Sequence, residues 1–233
     1  MEAALDLLGT VPLFERLDGH VLKRLDAITE LTSAEEDDEL TRQGEMPRYL
    51  HVLLEGQVAL SSTAADGTMA VVEVIHPVGH FVLASVLAEL PYLMTARAVA
   101  RSQLLAIDAV ALMELVESEQ ALATTLLRSV SRDFRSMVRQ VRDLKLRTAA
   151  QRLGCYLLAL VTDATATRAD LRLPFDKGLL AARLGCRQEN LSRAFAALRS
   201  YGVETHGARV SLHDIPRLKD FAVPDDLSDP DAF

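Results

Sequence analysis

The sequence predicts an α+β chain in which an antiparallel β-roll is followed by a long helix and a smaller C-terminal domain of short helices. Three observations favour this order: short apolar runs between turn residues, then one extended apolar stripe, then a compact pair of helical patterns. The predicted boundaries are a roll at 1–120, a long helix at 121–148, a C-terminal domain at 149–221 and an acidic tail at 222–233.

The composition is that of a globular protein with an aliphatic core. Hydrophobic residues make up 49% of the 233 residues and charged residues 25%, and there is no tryptophan. No stretch of about 18 apolar residues occurs, so no membrane span is expected. Residues 1–10 carry acidic side chains and lack the basic start of a signal peptide, so we expect a cytoplasmic protein.

The first half of the chain changes from helical to extended patterning. Residues 1–31 are predicted to be helical, with an interruption at Asp18-Gly19, because apolar residues recur there at intervals of four. From residue 40 onward, short apolar runs are bounded by glycine, proline and aspartate, and residues 81–90 can form a short helix. Asp66-Gly67 lies between two runs and predicts a β-hairpin. The predicted strands are 49–54, 57–61, 69–75, 96–100 and 103–107.

The net charge of −8 is unevenly distributed along the chain. Residues 177–209 carry six basic and two acidic side chains, and residues 126–152 carry eight basic and two acidic ones. A local basic surface on an acidic chain favours a phosphate-bearing partner. Each stretch alone is also compatible with an ordinary solvated face.

The predicted long helix carries one apolar stripe, which we call the seam. Its members are spaced four, three, four and three residues apart, the heptad spacing of paired helices. Such a stripe packs either on its own domain or against the same helix of a second copy, and we expect the second arrangement. The seam residues are Val130, Phe134, Met137, Val141 and Leu144.

Residues 177–200 have the pattern of a helix-turn-helix. Two helices that cross sharply need a small residue at their contact, a flexible residue in the turn and an apolar residue that locks the second helix. Ala181, Gly185 and Leu191 supply these three. Residues 203–205 and 209–212 then flank His206-Gly207, which predicts the hairpin of a winged motif. A plain helical hairpin is the alternative interpretation.

The second helix of this pattern, at about 188–199, has an apolar and a polar face at about 100° per residue. The residues predicted to face inward are Leu191, Phe195 and Leu198. On the outward face, Arg193 can donate two hydrogen bonds to guanine, Glu189 can accept one from cytosine, and Ser192 can reach a base or a phosphate. An ordinary surface pair between Glu189 and Arg193 is the alternative. The full set of predicted DNA contacts is Arg187, Gln188, Glu189, Ser192, Arg193 and Arg199.

This order of elements resembles the CRP/FNR superfamily of bacterial transcription regulators over most of the chain. Gln43-Gly44-Glu45 and residues 49–56 resemble the glycine-marked strands of its cyclic-nucleotide-binding-like roll, and residues 185–193 resemble its winged helix-turn-helix. Glu189, Ser192 and Arg193 match the Glu-x-x-Ser-Arg pattern of the FNR-like branch. The resemblance implies a TTGAT–ATCAA palindrome in double-stranded DNA, a homodimer, and RNA polymerase as a protein partner.

The departures from the family's pattern concern its ligands. Cyclic-nucleotide binders carry Gly-Glu and then Arg-Ser, and the corresponding positions here are Leu83-Ala84 and Met94-Thr95. A cyclic phosphate would lack its charge partner, so we expect no cAMP binding. No cysteine precedes Cys155, so the N-terminal cluster of iron–sulfur members is also absent and no such cluster is expected.

The positions of the nucleotide pocket are instead apolar. The predicted effector pocket consists of Phe81, Leu83, Val86, Leu87 and Met94. This resembles the nitric-oxide-responsive denitrification regulators (DNR), which implies haem as a possible cofactor, with His20, His51, His76 and His80 as axial-ligand candidates by residue type alone. The alternative is that these side chains fill the core.

Other modes of control stay open. Cys186 lies beside Arg183 and Arg187 before a helix N-terminus, which would favour a thiolate and a redox switch. The alternative for Cys186 is a packed, reduced thiol. A further possibility is that the protein binds DNA constitutively, as FixK-like members do. No P-loop, nucleophile elbow, dinucleotide fingerprint or metal-ligand spacing occurs, so no enzymatic activity is expected. A ligand-binding module without sequence-specific DNA binding is the alternative from another class.

Overall fold

The computed structural model describes residues 2–63, 66, 69–163, 165–173 and 177–224. The chain divides into two compact units, Met1–Arg135 and Ser136–Phe233. From residue 225 onward the expected acidic tail lies outside the described residues, as does Gly67 of the expected hairpin turn. Among the described helices, none combines the length and the apolar character needed to span a bilayer.

Two short helices open the first unit, α1 (Glu2–Thr10) and α2 (Gly19–Asp26). The Asp18 carboxylate caps α2 by accepting hydrogen bonds from the backbone N–H groups of His20 and Val21. The prediction of helix up to residue 31 was too long, because residues 29–34 pair with a later strand as part of the sheet.

The roll is an antiparallel sheet, as predicted. Its strands are β1 (Thr29–Ala34), β2 (Glu39–Thr41), β3 (Tyr49–Thr63), β4 (Met69–Ile75), β5 (Gly79–Phe81) and β6 (Thr95–Asp108), with helix α3 (Leu83–Ala88) between the last two. These six strands include three that the sequence did not predict, β1, β2 and β5. The order is β1-β6-β3-β4, with β2 also paired to β6 and β5 to β3. The predicted hairpin is present, since Thr63 pairs with Met69 on either side of Asp66.

Two pairs of predicted strands are each one continuous strand, β3 and β6. Gly56 was taken as a turn residue, but it forms an irregularity within β3, where the register against β6 shifts. Its φ of +91° lies in the region that favours glycine, and a β-carbon there would collide with the backbone at Arg101 and Ser102. The glycine therefore lets the two strands approach closely without ending either.

Helices α4 (Ala109–Ser118) and α5 (Gln120–Leu146) follow the roll. Two apolar clusters make up the core of the first unit. One lies inside the roll and includes Leu53, Phe81 and Leu104. The other joins the N-terminal helices, α3, α4 and the start of α5 to the sheet, and includes Leu25 and Leu126.

The second unit contains the remaining helices and a three-stranded sheet. The elements are α6 (Ala149–Ala159), β7 (Ala169–Arg172), α7 (Lys177–Arg183), α8 (Gln188–Leu198), β8 (Val203–His206), β9 (Arg209–Leu212) and α9 (Ile215–Ala222). The strand order is β7-β9-β8, so the predicted hairpin gains a third strand. Helix α9 was not predicted, although its start carries a recognisable signal: Asp214 caps the Arg217 N–H, and proline lies in the first turn.

Candidate nucleic-acid interface

Helices α7 and α8 form a helix-turn-helix whose turn is closed by backbone hydrogen bonds. Gly185 donates to the Ala182 carbonyl at 2.8 Å and Cys186 donates to the Ala181 carbonyl at 2.9 Å. This is the paired pattern that ends a helix at a left-handed residue, and Gly185 has a φ of +60°. These two hydrogen bonds and the left-handed glycine therefore define the turn, and the turn determines where α8 begins.

The inward face of α8 is apolar and fully packed. The buried side chains of this helix are Leu191, Ala194, Phe195 and Leu198. Three of these were predicted from helical spacing, and Ala194 extends the same face. Because these side chains are buried, the helix cannot rotate about its axis without exposing them, so its outward face is fixed.

The outward face of α8 presents polar side chains to solvent. The exposed residues are Arg187, Gln188, Glu189, Asn190, Ser192, Arg193 and Arg199. In the part of the chain that the structure describes, Glu189 and Arg193 form no ion pair with each other. The alternative of an ordinary surface pair is therefore not realised, and both charged groups are available to a partner.

The small sheet adds a basic surface that the sequence did not reveal. Arg172 on β7 lies directly opposite Arg209 on β9, and Arg209 in turn pairs with His206 on β8. All three residues are exposed. Like charges placed opposite each other across strands destabilise a sheet, and an anionic partner would relieve that repulsion. Arg172 was missed because the sequence pattern did not show that residues 169–172 join the hairpin.

Not every basic residue counted in the sequence belongs to such a surface. Arg147 and Arg152 fall within the basic stretch 126–152, but both point into the second unit. Arg147 donates to the Cys155 Sγ at 2.6 Å and to the Val223 carbonyl at 2.9 Å. Arg152 donates to two backbone carbonyls. The solvent-facing basic surface is therefore smaller than the residue count implies.

The seam of α5 is largely exposed. The exposed apolar side chains along this helix are Leu127, Phe134, Met137, Val138, Val141, Leu144 and Leu146, while Val130 is partly buried in the core. Leu127 lies three residues before Val130 and so extends the heptad spacing by one position. An exposed apolar patch of this length on a helix marks an interaction surface.

The surroundings of Cys186 favour the alternative of a packed, reduced thiol over a reactive thiolate. Burial raises the pKa of the Cys186 thiol, and the charge that opposes this shift is that of Arg152. Neither neighbour in sequence supplies it: the Arg183 guanidinium lies over the Tyr156 ring, 5.9 Å from its centre, and Arg187 is exposed. A raised thiol pKa disfavours the thiolate, which is the reactive form of cysteine.

The five predicted effector-pocket residues divide between two apolar clusters. Phe81 and Met94 pack inside the roll, whereas Leu83, Val86 and Leu87 pack in the cluster against the helices. The reason is local, because Val82 has a φ of +63° and turns the chain between Phe81 and Leu83. A groove of about 300 Å³ does lie beside α3 and α4. Of the five predicted pocket residues, only Val86 lines this groove. The lining residues are Met46, Pro47, Val86, Glu89, Ala109, Val110, Met113, Glu114 and Glu117.

The structure places the haem-ligand candidates on separate elements, with His20 on α2, His51 on β3, His76 directly after β4 and His80 on β5. His51 is buried, and its ring stacks on Phe81 with a centroid distance of 5.0 Å, so the neighbouring side chain occupies the space beside it. His80 is held by Ser129 and Asp133, and His20 is exposed beside Glu119. Within the described ranges, no group of three histidine, cysteine or acidic residues is placed to hold a metal ion.

Two family models match the sequence. A cyclic nucleotide-binding domain matches residues 31–119, and a Crp-like helix-turn-helix domain matches residues 151–221. The first covers most of the roll, and the second covers α6 to α9. A search of curated proteins found no significant match.

Several solved structures are similar over nearly the whole chain. A Ruegeria pomeroyi protein, described as a candidate cyclic nucleotide binding protein, is 30% identical with a TM-score of 0.62, over 96% of this chain and 99% of that one. DNR from Pseudomonas aeruginosa is 28% identical with a TM-score of 0.52, over 95% and 98%. FixK2 from Bradyrhizobium japonicum shares the fold at 18% identity with a TM-score of 0.70, over 86% and 100%. The chain belongs to the CRP/FNR superfamily of DNA-binding transcription regulators, which are not enzymes.

Proposed function

We propose that this regulator works as a homodimer that recognises an FNR-type palindrome, TTGAT–ATCAA, through α8. The observation that carries the proposal is the outward face of this helix, on which Glu189, Ser192 and Arg193 are exposed above a fully packed apolar face. A carboxylate that faces polyanionic DNA is costly unless it accepts a hydrogen bond from a base. Its place one helical turn from Arg193 favours reading of bases over simple attraction to phosphates.

The homodimer follows from the exposed seam. A palindrome presents two half-sites about one helical turn apart, and two copies related by two-fold symmetry match that arrangement. The seam supplies a self-complementary apolar surface for such a pair. RNA polymerase is the expected partner of the DNA-bound dimer.

We propose that cyclic nucleotides do not control this protein, although it contains the corresponding fold. Leu83 is buried in the apolar core, and Thr95, whose hydroxyl accepts a hydrogen bond from the Gln43 backbone N–H, carries no positive charge that could pair with a phosphate. The signal is then a different ligand, or the protein binds DNA without one. The Ruegeria pomeroyi protein, described by its relation to cyclic nucleotides, is therefore a guide to the fold and not to the ligand.

Fluorescence anisotropy of the purified, ligand-free protein tests this function. Wild type should bind a TTGAT–ATCAA duplex with a Kd at least about 10³-fold lower than that of a scrambled duplex at the same salt. Arg193→Ala should remove most of this preference and leave the dimer intact, since a lost bidentate contact costs about 1–3 kcal/mol per half-site. Equal binding of both duplexes by wild type would refute TTGAT–ATCAA as a site of the ligand-free protein, and unchanged preference in Arg193→Ala would refute the role of α8.

A further inference from the structure

Arg152 on α6 joins the ends of two other helices. Its Nε donates a hydrogen bond to the Leu184 carbonyl at 2.9 Å, and its Nη1 donates to the Arg147 carbonyl at 2.7 Å. Leu184 directly follows α7, and Arg147 directly follows α5. Carbonyl groups at these positions lack partners within their own helices, and a cation there also interacts favourably with the helix dipole.

A second contact joins the same two segments. The end of the Leu144 side chain, the last member of the seam, lies directly against Gly185 in the helix-turn-helix turn. A β-carbon at position 185 would collide with Leu144 Cδ2, and the φ of +60° at Gly185 also favours glycine. Arg152 also lowers the pKa of Cys186 against the effect of burial, so its charge lies close to the residue after Gly185. The end of α5 and the turn before α8 are therefore connected at two adjacent points.

We propose that Arg152 is a positioning residue for DNA recognition, which holds the turn before α8 against the end of α5. This inference rests on the proposed function. A guanidinium has donors in a fixed planar arrangement and can bridge two carbonyls at once, whereas a lysine ammonium is a single point charge on a flexible stem. Only three residues separate Leu184 from the start of α8. A shift of Leu184 would therefore move α8 relative to the end of α5. Two recognition helices must fit half-sites at a fixed separation, so this connection determines which spacing the dimer accepts.

The test compares wild type with Arg152→Lys and Arg152→Met, with Arg168→Met as a control that removes one charge from an exposed position in the same unit. Binding is measured on the palindrome and on duplexes with half-sites two base pairs closer or further apart. Both Arg152 variants should lose about tenfold in affinity for the native spacing and most of the discrimination between spacings, while they keep their preference for the half-site over scrambled DNA. The control should behave as wild type.

Hydrogen exchange of the DNA-free protein supplies a readout that does not depend on the palindrome. The amides of Gly185 and Cys186 should exchange at least about tenfold faster in Arg152→Lys, at an unchanged dimer mass. Unchanged exchange would overturn the inference. Uniform weakening on every duplex, with a shallower salt dependence, would also overturn it, because that is the behaviour of a phosphate contact. If the amides exchange faster in Arg152→Lys but the wild type shows no preference for the palindrome, the connection is supported and the proposed function is refuted.

Discussion

The exposed seam gives a quantitative prediction for Phe134→Ala. The Phe134 side chain is 65% exposed in the single chain. A phenylalanine can bury about 200 Å², so roughly 130 Å² is free for a partner, worth about 3 kcal/mol at 25 cal/mol per Å². Alanine retains part of this contact, which leaves a loss of about 2 kcal/mol per chain, and a symmetric dimer loses it twice. The dimer Kd should therefore rise by about 10³-fold.

Sedimentation equilibrium over a range of protein concentrations measures this change directly. Arg132→Ala is the matched control, because Arg132 lies on the same helix two residues before Phe134, is exposed and is outside the seam. The control should dimerise as wild type does. Because Phe134 contributes little to the core of its own chain, the variant monomer should keep its helical circular dichroism signal. A dimer Kd within about threefold of wild type, with the same helical signal, would refute the pairing of α5 through this seam.

Two further predictions concern the first unit. Addition of cAMP should change neither the DNA affinity nor the melting temperature, at a concentration of about 1 mM that is far above the Kd of a dedicated site. A rise in melting temperature would show that a nucleotide site exists and would refute this prediction. Burial lowers the pKa of His51 to about 4, from 6.5 in an unfolded chain. As the pH falls, the unfolded state therefore binds a proton at His51 before the folded state does. The free energy of unfolding is unaffected by this group above pH 6.5 and decreases by about 3 kcal/mol as the pH falls toward 4. His51→Leu should flatten the pH dependence of urea unfolding over that range, and an equal slope in both proteins would refute the assignment.

The DNA-reading half of the molecule was the more predictable half because its determinants are local. The faces of α8 follow from the spacing of Leu191, Phe195 and Leu198 within one helix, and all three are buried. The turn follows from a single glycine, Gly185, whose left-handed backbone closes α7. Neither feature depends on where distant segments of the chain lie.

The first unit was less predictable because neighbouring residues join different apolar clusters. Phe81 and Leu83 are two residues apart, yet the left-handed Val82 directs one into the roll and the other toward the helices. A valine in that conformation has no simple sequence signal, since glycine and asparagine are the usual residues there. The sequence pattern therefore did not show that the predicted pocket residues divide between two clusters. Cys186 is a related case, because Arg183 and Arg187 are its neighbours in sequence but the charge that lowers its pKa against burial is that of Arg152.

Leu144 connects the two activities that the family combines, dimer formation and DNA binding. About half of its side chain is exposed at the end of the seam, at 49%, while its tip packs on Gly185 beside the recognition helix. If pairing of the seam restricts Leu144, it also restricts the turn, so the dimer presents α8 in fewer orientations than the monomer does. The two equilibria are then linked. If dimerisation raises the affinity for the palindrome by some factor, binding of the palindrome stabilises the dimer by the same factor. Substitutions at Leu144 would act directly on both equilibria, whereas a substitution at Phe134 would act directly on dimer formation alone and one at Arg152 directly on the turn alone.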